Sequence, residues 1–300
     1  MSARLAVIAA TLLGACTTAT PAPPVDPGPA QRAWAATCAD FDEWDKPGPP
    51  FRVHGNTYYV GTCGISSLLV VSPEGHALID SGTDKGAEIV LANIRALGFD
   101  PKDVKVLLMS HEHFDHVGGM ARLQAATGAT IVATPEAAAV LRTGRPGKDD
   151  PQANSGHPAF PPVTGRIVEL YGEAVQLIGD TEFRPIRTPG HTPGALSWAW
   201  RDCGDGPCAA IVYADSLNPI SSDGYKFSGH PELVAAFRAG LAKVAAAPCD
   251  IVLAPHPGAA GMRDRLLGTR PLVDRDGCRA YAATATRRLD KRLADEAVGG

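Results

Sequence analysis

Ser110-His111-Glu112-His113-Phe114-Asp115-His116 is the stretch that decides the reading of this 300-residue chain. It follows the apolar run 104–109 (VKVLLM), which reads as a buried strand. His111 and His113 are two residues apart, so an extended backbone turns both to the same side. Asp115 and His116 fall where that strand gives way to a helical segment, residues 119–126, and can point toward an adjacent position. One segment therefore offers donors to two cations side by side, the arrangement used for metal-assisted hydrolysis. Three imidazoles and a carboxylate packed this tightly would desolvate one another with little to offset the cost unless a cation sat among them. His111-Glu112 begins like the H-E-x-x-H motif, but residue 115 is Asp, so that motif is absent. Alternation turns Glu112 away from the cluster and leaves it no catalytic role. His54, His76, His157 and His230 stand alone and read as ordinary histidines.

Outward from the cluster, short apolar runs alternate with turn signals. Residues 57–60, 67–71 and 76–80 read as consecutive strands. Residues 87–97 carry Ile89, Val90, Ile94 and Leu97 at helical spacing and stop at Gly98. A strand at 130–133 and a helix at 135–141 follow. Residues 142–162 have no periodicity and form a long loop, of a length that is commonly functional. Strand runs at 166–170, 174–178, 183–188, 195–201 and 209–213 precede a helix over 233–247, a strand at 251–253 and a polar-faced helix over 279–297. Strands followed by helices, twice over, predict two packed β layers with helices outside. No internal repeat and no dividing linker is visible.

The composition bounds the class. Hydrophobic residues make up 45% and charged residues 20%, enough apolar side chain for a full core. Lys plus Arg number 28 against 32 Asp plus Glu, net −4, with no basic stripe, which argues against a nucleic-acid binder. The N-terminus has the proportions of an export signal: a positive start at residues 1–4, then an apolar segment at 5–15 too short to span a bilayer. That segment ends in Leu13-Gly14-Ala15-Cys16, similar to the bacterial lipoprotein box, in which the cysteine is lipidated. An ordinary signal cut a few residues later is the other reading. Residues 17–31 are rich in Pro, Ala and Thr and read as a semi-rigid spacer. The division expected is an export signal at 1–15, a spacer at 16–35 and a single domain at 36–300, in the periplasm and tethered to the outer membrane if Cys16 carries lipid. Besides Cys16 there are six cysteines, an even number that suits disulfides in an exported chain. Cys203 and Cys208 flank a Gly-Asp-Gly-Pro turn and suit a hairpin staple. No C-x-x-C exists, so zinc ligation by cysteine fits poorly.

At this point a resemblance is plain. His111-x-His113-x-Asp115-His116 resembles the signature of the metallo-β-lactamase fold. Residues 188–194 (TPGHTPG) resemble the loop that supplies a third histidine, and 254–258 (APHPG) the last-histidine motif of subclass B3. Residues 214–218 (ADSLN) are similar to that subclass too, which has serine where others place a cysteine ligand. The resemblance covers nearly all of residues 36–300. It implies a four-layer αββα sandwich of the α/β class and two Zn²⁺ per chain, one on His111, His113 and His191 and one on Asp115, His116 and His256. It implies hydrolysis of small-molecule β-lactams (penicillins, cephalosporins, carbapenems) by a monomer, conferring antibiotic resistance, with Asp115 orienting a metal-activated hydroxide. No Ser-x-x-Lys motif of the serine β-lactamases is present. Ser216 and Asn218, and less directly Tyr225, are implied on the substrate side. The implied disulfides are Cys38–Cys63, Cys203–Cys208 and Cys249–Cys278.

The same fold hosts other chemistry. In a glyoxalase II-type thioesterase or a lactonase an aspartate bridges the metals, and Asp215 could be that bridge. A one-residue shift decides whether Asp215 or Ser216 faces the metals. A zinc-bearing but inert envelope protein is a further reading, opposed by the complete set of six ligands.

Overall fold

The computed structural model describes residues 28–204 and 206–298. The expected export signal, Cys16 and most of the spacer lie outside the described residues. Seven strands form the first sheet in sequence order: β1 (Phe51–His54), β2 (Thr57–Tyr59), β3 (Leu68–Val70), β4 (His76–Ile79), β5 (Val104–Leu108), β6 (Thr130–Ala133) and β7 (Ile167–Glu169). The second sheet holds β8 (Gln176–Ile178), β9 (Thr181–Arg187), β10 (Leu196–Asp202), β11 (Ala209–Tyr213) and β12 (Ile251–Leu253), which are also neighbours in sequence order. The helices are α1 (Pro29–Thr37), α2 (Gly86–Ala96), α3 (Phe114–Val117), α4 (Met120–Thr127), α5 (Pro135–Thr143), α6 (Pro231–Ala246), α7 (Met262–Leu266) and α8 (Gly277–Val298).

Three apolar clusters stack these elements into four layers. The middle cluster joins the sheets through Phe51, Tyr59 and Leu68 on one side and Phe183, Trp198 and Ile211 on the other. A second cluster seals the first sheet under α2, α4 and α5, and a third seals the second sheet under α6 and α8. Because both sheets are covered on both faces, β3, β4 and β12 are buried at every position. Trp198 is fully buried between the sheets and donates its indole N–H to the carbonyl of Met109, 2.8 Å away. Truncating such a side chain to alanine costs about 3–5 kcal/mol.

The strand arrangement decides where chemistry can sit. β4, β5, β6 and β7 are parallel, as are β11 and β12. Parallel strands send their carboxyl ends to one edge, where ligand sites of α/β proteins form. Asp80 follows β4, the His111–His116 segment follows β5, Asp215 follows β11 and His256 follows β12, all at that edge.

Local signals explain most boundaries. Thr134 caps α5 by accepting from the N–H of Ala137, Pro135 occupies the first turn, and Gly144 ends the helix in left-handed conformation. One expectation needs correction. The spacer does not extend to residue 35, because α1 begins at Pro29 and Trp34 is fully buried against Phe51 and Tyr59. The Pro/Ala richness that suggested a linker is compatible with a short helix once Trp34 anchors it. The chain also forms β1, which pairs antiparallel with β2 and which its mixed sequence FRVH did not announce. Disulfides join Cys38 to Cys63, Cys203 to Cys208 and Cys249 to Cys278. No helix among the described residues is long and apolar enough to cross a membrane.

Candidate metal centre

β5 delivers His111 and His113 at its carboxyl end, and α3 begins at Phe114, so Asp115 and His116 sit on its single turn. His191 arrives on the turn between β9 and β10. That turn is clamped to the end of β5: Leu196 N–H donates to Ser110 O at 2.7 Å. Glu112 points away from the histidines and accepts from Thr192 Oγ1 at 2.6 Å and from Gly194 N–H at 2.7 Å. A residue with no donor role thus ties the loop carrying His191 to the strand carrying His111. Gly190, at φ +155°, leaves room on this turn for the ring of Phe237, which any Cβ there would strike.

Two groups of donors result. The atoms of His111, His113 and His191 lie within 4.8 Å of one another, as do those of His111, Asp115 and His116. His256, after β12, closes the second group, with its Nε2 3.4 Å from His116 Nε2 and 3.5 Å from Asp115 Oδ2. All six candidate ligands implied by the sequence are therefore together at one edge of the sandwich.

Four of the five imidazoles have one nitrogen held from behind, which leaves the other for the centre. Asp215 Oδ1 holds His111 Nδ1 at 2.8 Å, and Asp150 Oδ2 holds His113 Nε2 at 3.0 Å. The carbonyl of Asn218 holds His191 Nδ1 at 2.8 Å, and the carbonyl of Gly64 holds His256 Nδ1 at 3.3 Å. His116 Nδ1 faces Asp80 Oδ2 at 3.6 Å, too far for a hydrogen bond. Asp80 is itself fixed by Ser110 N–H (2.6 Å), Ser110 Oγ (2.7 Å) and Tyr213 Oη (2.8 Å). His111 Nε2 is buried without any hydrogen-bond partner. A buried nitrogen left unpaired is costly, and a cation among the donors would satisfy it, so the residues fit a metal.

The electrostatics separate the two groups. Burial, with the neighbouring histidines adding to it, drives His111 far down, and burial drives Asp215 up, so this pair favours a neutral form. His191 falls to about 3 through burial and the nearby His113. In the second group burial is overcome: the charge and hydrogen bond of Asp115 raise His116 to about 10, while His116 holds Asp115 well below the carboxylate range. Burial and His116 lower His256 to about 4.

Ser216, Asn218, His191 and His256 line a cavity of about 350 Å³ beside the donors. Tyr225 does not line it, because its ring stacks on His230 at 4.5 Å and packs against Phe227. Asp215 belongs to neither donor group, since its carboxyl faces the back of His111. His157, read as ordinary, lies 5.4 Å from the ring of His113 at the rim. Sequence reasoning missed Asp80, Asp150 and Gly64. Loop length pointed to 142–162, but nothing distinguished buried Asp150 from its exposed neighbour Asp149.

A family model for the metallo-β-lactamase superfamily matches residues 60–205. The solved structure of the metallo-β-lactamase MIM-2 is 52% identical, with a TM-score of 0.85, and the likeness covers 90% of this chain and 99% of that one. The chain belongs to the metallo-β-lactamase superfamily. Among other metallo-β-lactamases, MIM-1 from Novosphingobium pentaromativorans is 46% identical at a TM-score of 0.84, over 89% of this chain and 99% of that one. MEM-A1, a subclass B3 metallo-β-lactamase from a soil metagenome library, is 42% identical at 0.81, over 86% and 100%. A curated hydroxyacylglutathione hydrolase from Albidiferax ferrireducens is 28% identical over 182 residues, 60% of this chain and 57% of that protein. One from Rhodospirillum rubrum is 32% identical over 124 residues, 40% of this chain and 39% of that protein. This metallo-β-lactamase superfamily member thus spans about half the length of the curated relatives it matches, but nearly the whole of the solved subclass B3 enzyme.

Proposed function

We propose that the chain hydrolyses the amide bond of β-lactams at a centre holding two zinc ions. The observation that carries this is the side of His111 on which Asp215 lies. A thioesterase-type centre needs an aspartate between the metals, and here that carboxyl is 2.8 Å from Nδ1, behind the ring, while Nε2 faces the donors. Likeness over nearly the full length of the solved metallo-β-lactamases supports the same reading.

The donors are imidazole nitrogens and a carboxylate without thiolate, a set that suits zinc. His111 Nε2, His113 Nδ1 and His191 Nε2 would hold one ion, and Asp115, His116 Nε2 and His256 Nε2 the other. Zinc bound there supplies a Lewis acid and makes water a nucleophile near neutral pH. The rest belongs to this chain. Asp115, kept ionised by His116, orients the attacking water by accepting a hydrogen bond. Ser216 and Asn218 in the cavity wall face the side on which the substrate carboxylate would sit. Asp215, Asp150 and the Asn218 carbonyl fix ring orientation, so little reorganisation is required when charge develops.

The partial matches to hydroxyacylglutathione hydrolases favour a second reading, thioester hydrolysis. Turnover of the zinc-loaded protein on a carbapenem, a penicillin and a glutathione thioester separates the two. β-Lactam turnover that dominates and disappears with a chelator is expected; dominant thioester turnover would overturn the proposal.

A further inference from the structure

The cavity does not end at the donor groups. It continues from His191 and His256 past Ser216 along α8, which turns Tyr281, Thr284, Ala285 and Arg288 toward it. These positions are spaced as one face of a helix. The Tyr281 hydroxyl donates to the carbonyl of Asp215 at 2.8 Å, which seats this face of α8 against the segment after β11. Arg270, from the segment after α7, also lines it.

Charge in this arm is one-sided. Arg265, Arg270 and Arg288 line the cavity, and no aspartate or glutamate does, in a chain whose net charge is −4. Arg265 is committed, since it donates to the carbonyl of Ala260 and contacts Asp274 at 3.3 Å. Other arginines of this region also have partners, Arg279 with Asp276 and Arg292 with Glu296. The guanidinium groups of Arg270 and Arg288 have no hydrogen bond or salt bridge to any described residue, and Arg270 is held only through its backbone N–H, which donates to the carbonyl of Asp264 at 3.2 Å. Two unpaired guanidinium forks lining one cavity suit a carboxylate or sulfonate that binds through paired N–H donors. Phe41 forms an apolar lip at the same mouth, 69% exposed and held at φ +55°.

We propose that Arg270 and Arg288 receive a second anionic group of the substrate, beyond the ring carboxylate, and so set a preference for dianionic β-lactams. This rests on the β-lactam reading above. The two arginines are specificity-determining rather than catalytic, because they lie along the arm and not among the metal donors. Their effect belongs in KM and in salt dependence, since open charge pairs are screened by added ions.

The test uses zinc-loaded full-length protein with benzylpenicillin and carbenicillin, which differ by one side-chain carboxylate. Arg270→Gln combined with Arg288→Gln is expected to raise KM for carbenicillin about fivefold or more. It should leave kcat and both constants for benzylpenicillin within about twofold, a difference too small to count as a lost contact. About 0.5 M NaCl should weaken carbenicillin binding in the wild type and have little effect on the double variant. Equal changes on both substrates, or no change on either, would overturn the proposal. If the wild type turns over neither penicillin, the β-lactam reading fails. Calorimetric binding of carbenicillin then still tests the arm, and an equal Kd for wild type and double variant would sink it.

Discussion

The two donor groups of the metal centre are built differently. In His111, His113 and His191 every ring is backed at 2.8–3.0 Å by a carboxylate or a carbonyl, and all three side chains are buried. In the group of Asp115, His116 and His256 the backing contacts lengthen to 3.6 and 3.3 Å, and the His256 side chain is 26% exposed. Burial holds His111 and His191 neutral in the first group; the second contains a charged pair, Asp115 with His116 at 3.0 Å. A rigid triad with every ring backed suits permanent retention of an ion. A looser, charged and partly open group suits an ion that also faces substrate. The contrast teaches that one β-strand end can serve two purposes when different neighbours stand behind its side chains.

The largest effect expected from disturbing this contrast is at Asp115. Asp115→Asn removes the charge of the second group and the acceptor that orients water, so kcat should fall about 10²- to 10³-fold or more. Metal analysis should find the first group still occupied. Loss of both ions would mean that the groups are not separate units.

A smaller effect is expected behind the rings. Asp150→Asn and Asp215→Asn each weaken the hold on one histidine of the first group, and zinc affinity should fall about 10- to 100-fold. Competition with a chromophoric chelator measures it. An unchanged affinity in both variants would show that backing contacts do not account for the first group's rigidity.

The smallest effect lies away from the centre and sets the scale for a purely structural carboxylate. Glu296 accepts from Phe227 N–H at 2.9 Å and Ser228 N–H at 2.7 Å and pairs with Arg292. Against burial, the Ser228 and Phe227 contacts and Arg292 hold it down to about 2, below its ordinary 4.5. A depressed carboxylate stabilises the fold above its unfolded pKa, and that contribution fades as pH falls from about 4.5 toward 2. Glu296→Gln should therefore cost about 1–2 kcal/mol near neutral pH. In denaturant melts the difference should shrink on acidification, with turnover per folded molecule unchanged. A difference independent of pH would contradict this role.

Much of the fold was legible because apolar runs and turn residues fall in register with strands and helices. The run 104–109 matches β5 within a residue, and Gly98 stands at the end of α2 with φ +87°. The site was legible where donors cluster in sequence, at 111–116, and where short loop motifs surround single histidines at 191 and 256. The residues behind those histidines were not. Asp80, Asp150 and the Gly64 carbonyl act through contacts made 30 to 192 positions away in the chain. No local period encodes such contacts. Asp215 shows the limit most clearly: alternation left it exclusive with Ser216, and only the packing of the two sheets turned it to the back of His111.

The most direct test of the central claim is a crystal structure of zinc-loaded protein with anomalous data collected at the zinc edge. The account predicts two peaks, one bounded by His111 Nε2, His113 Nδ1 and His191 Nε2, the other by Asp115, His116 Nε2 and His256 Nε2. Asp215 should remain on His111 Nδ1. A single peak, or two peaks with Asp215 bound between them, would contradict it.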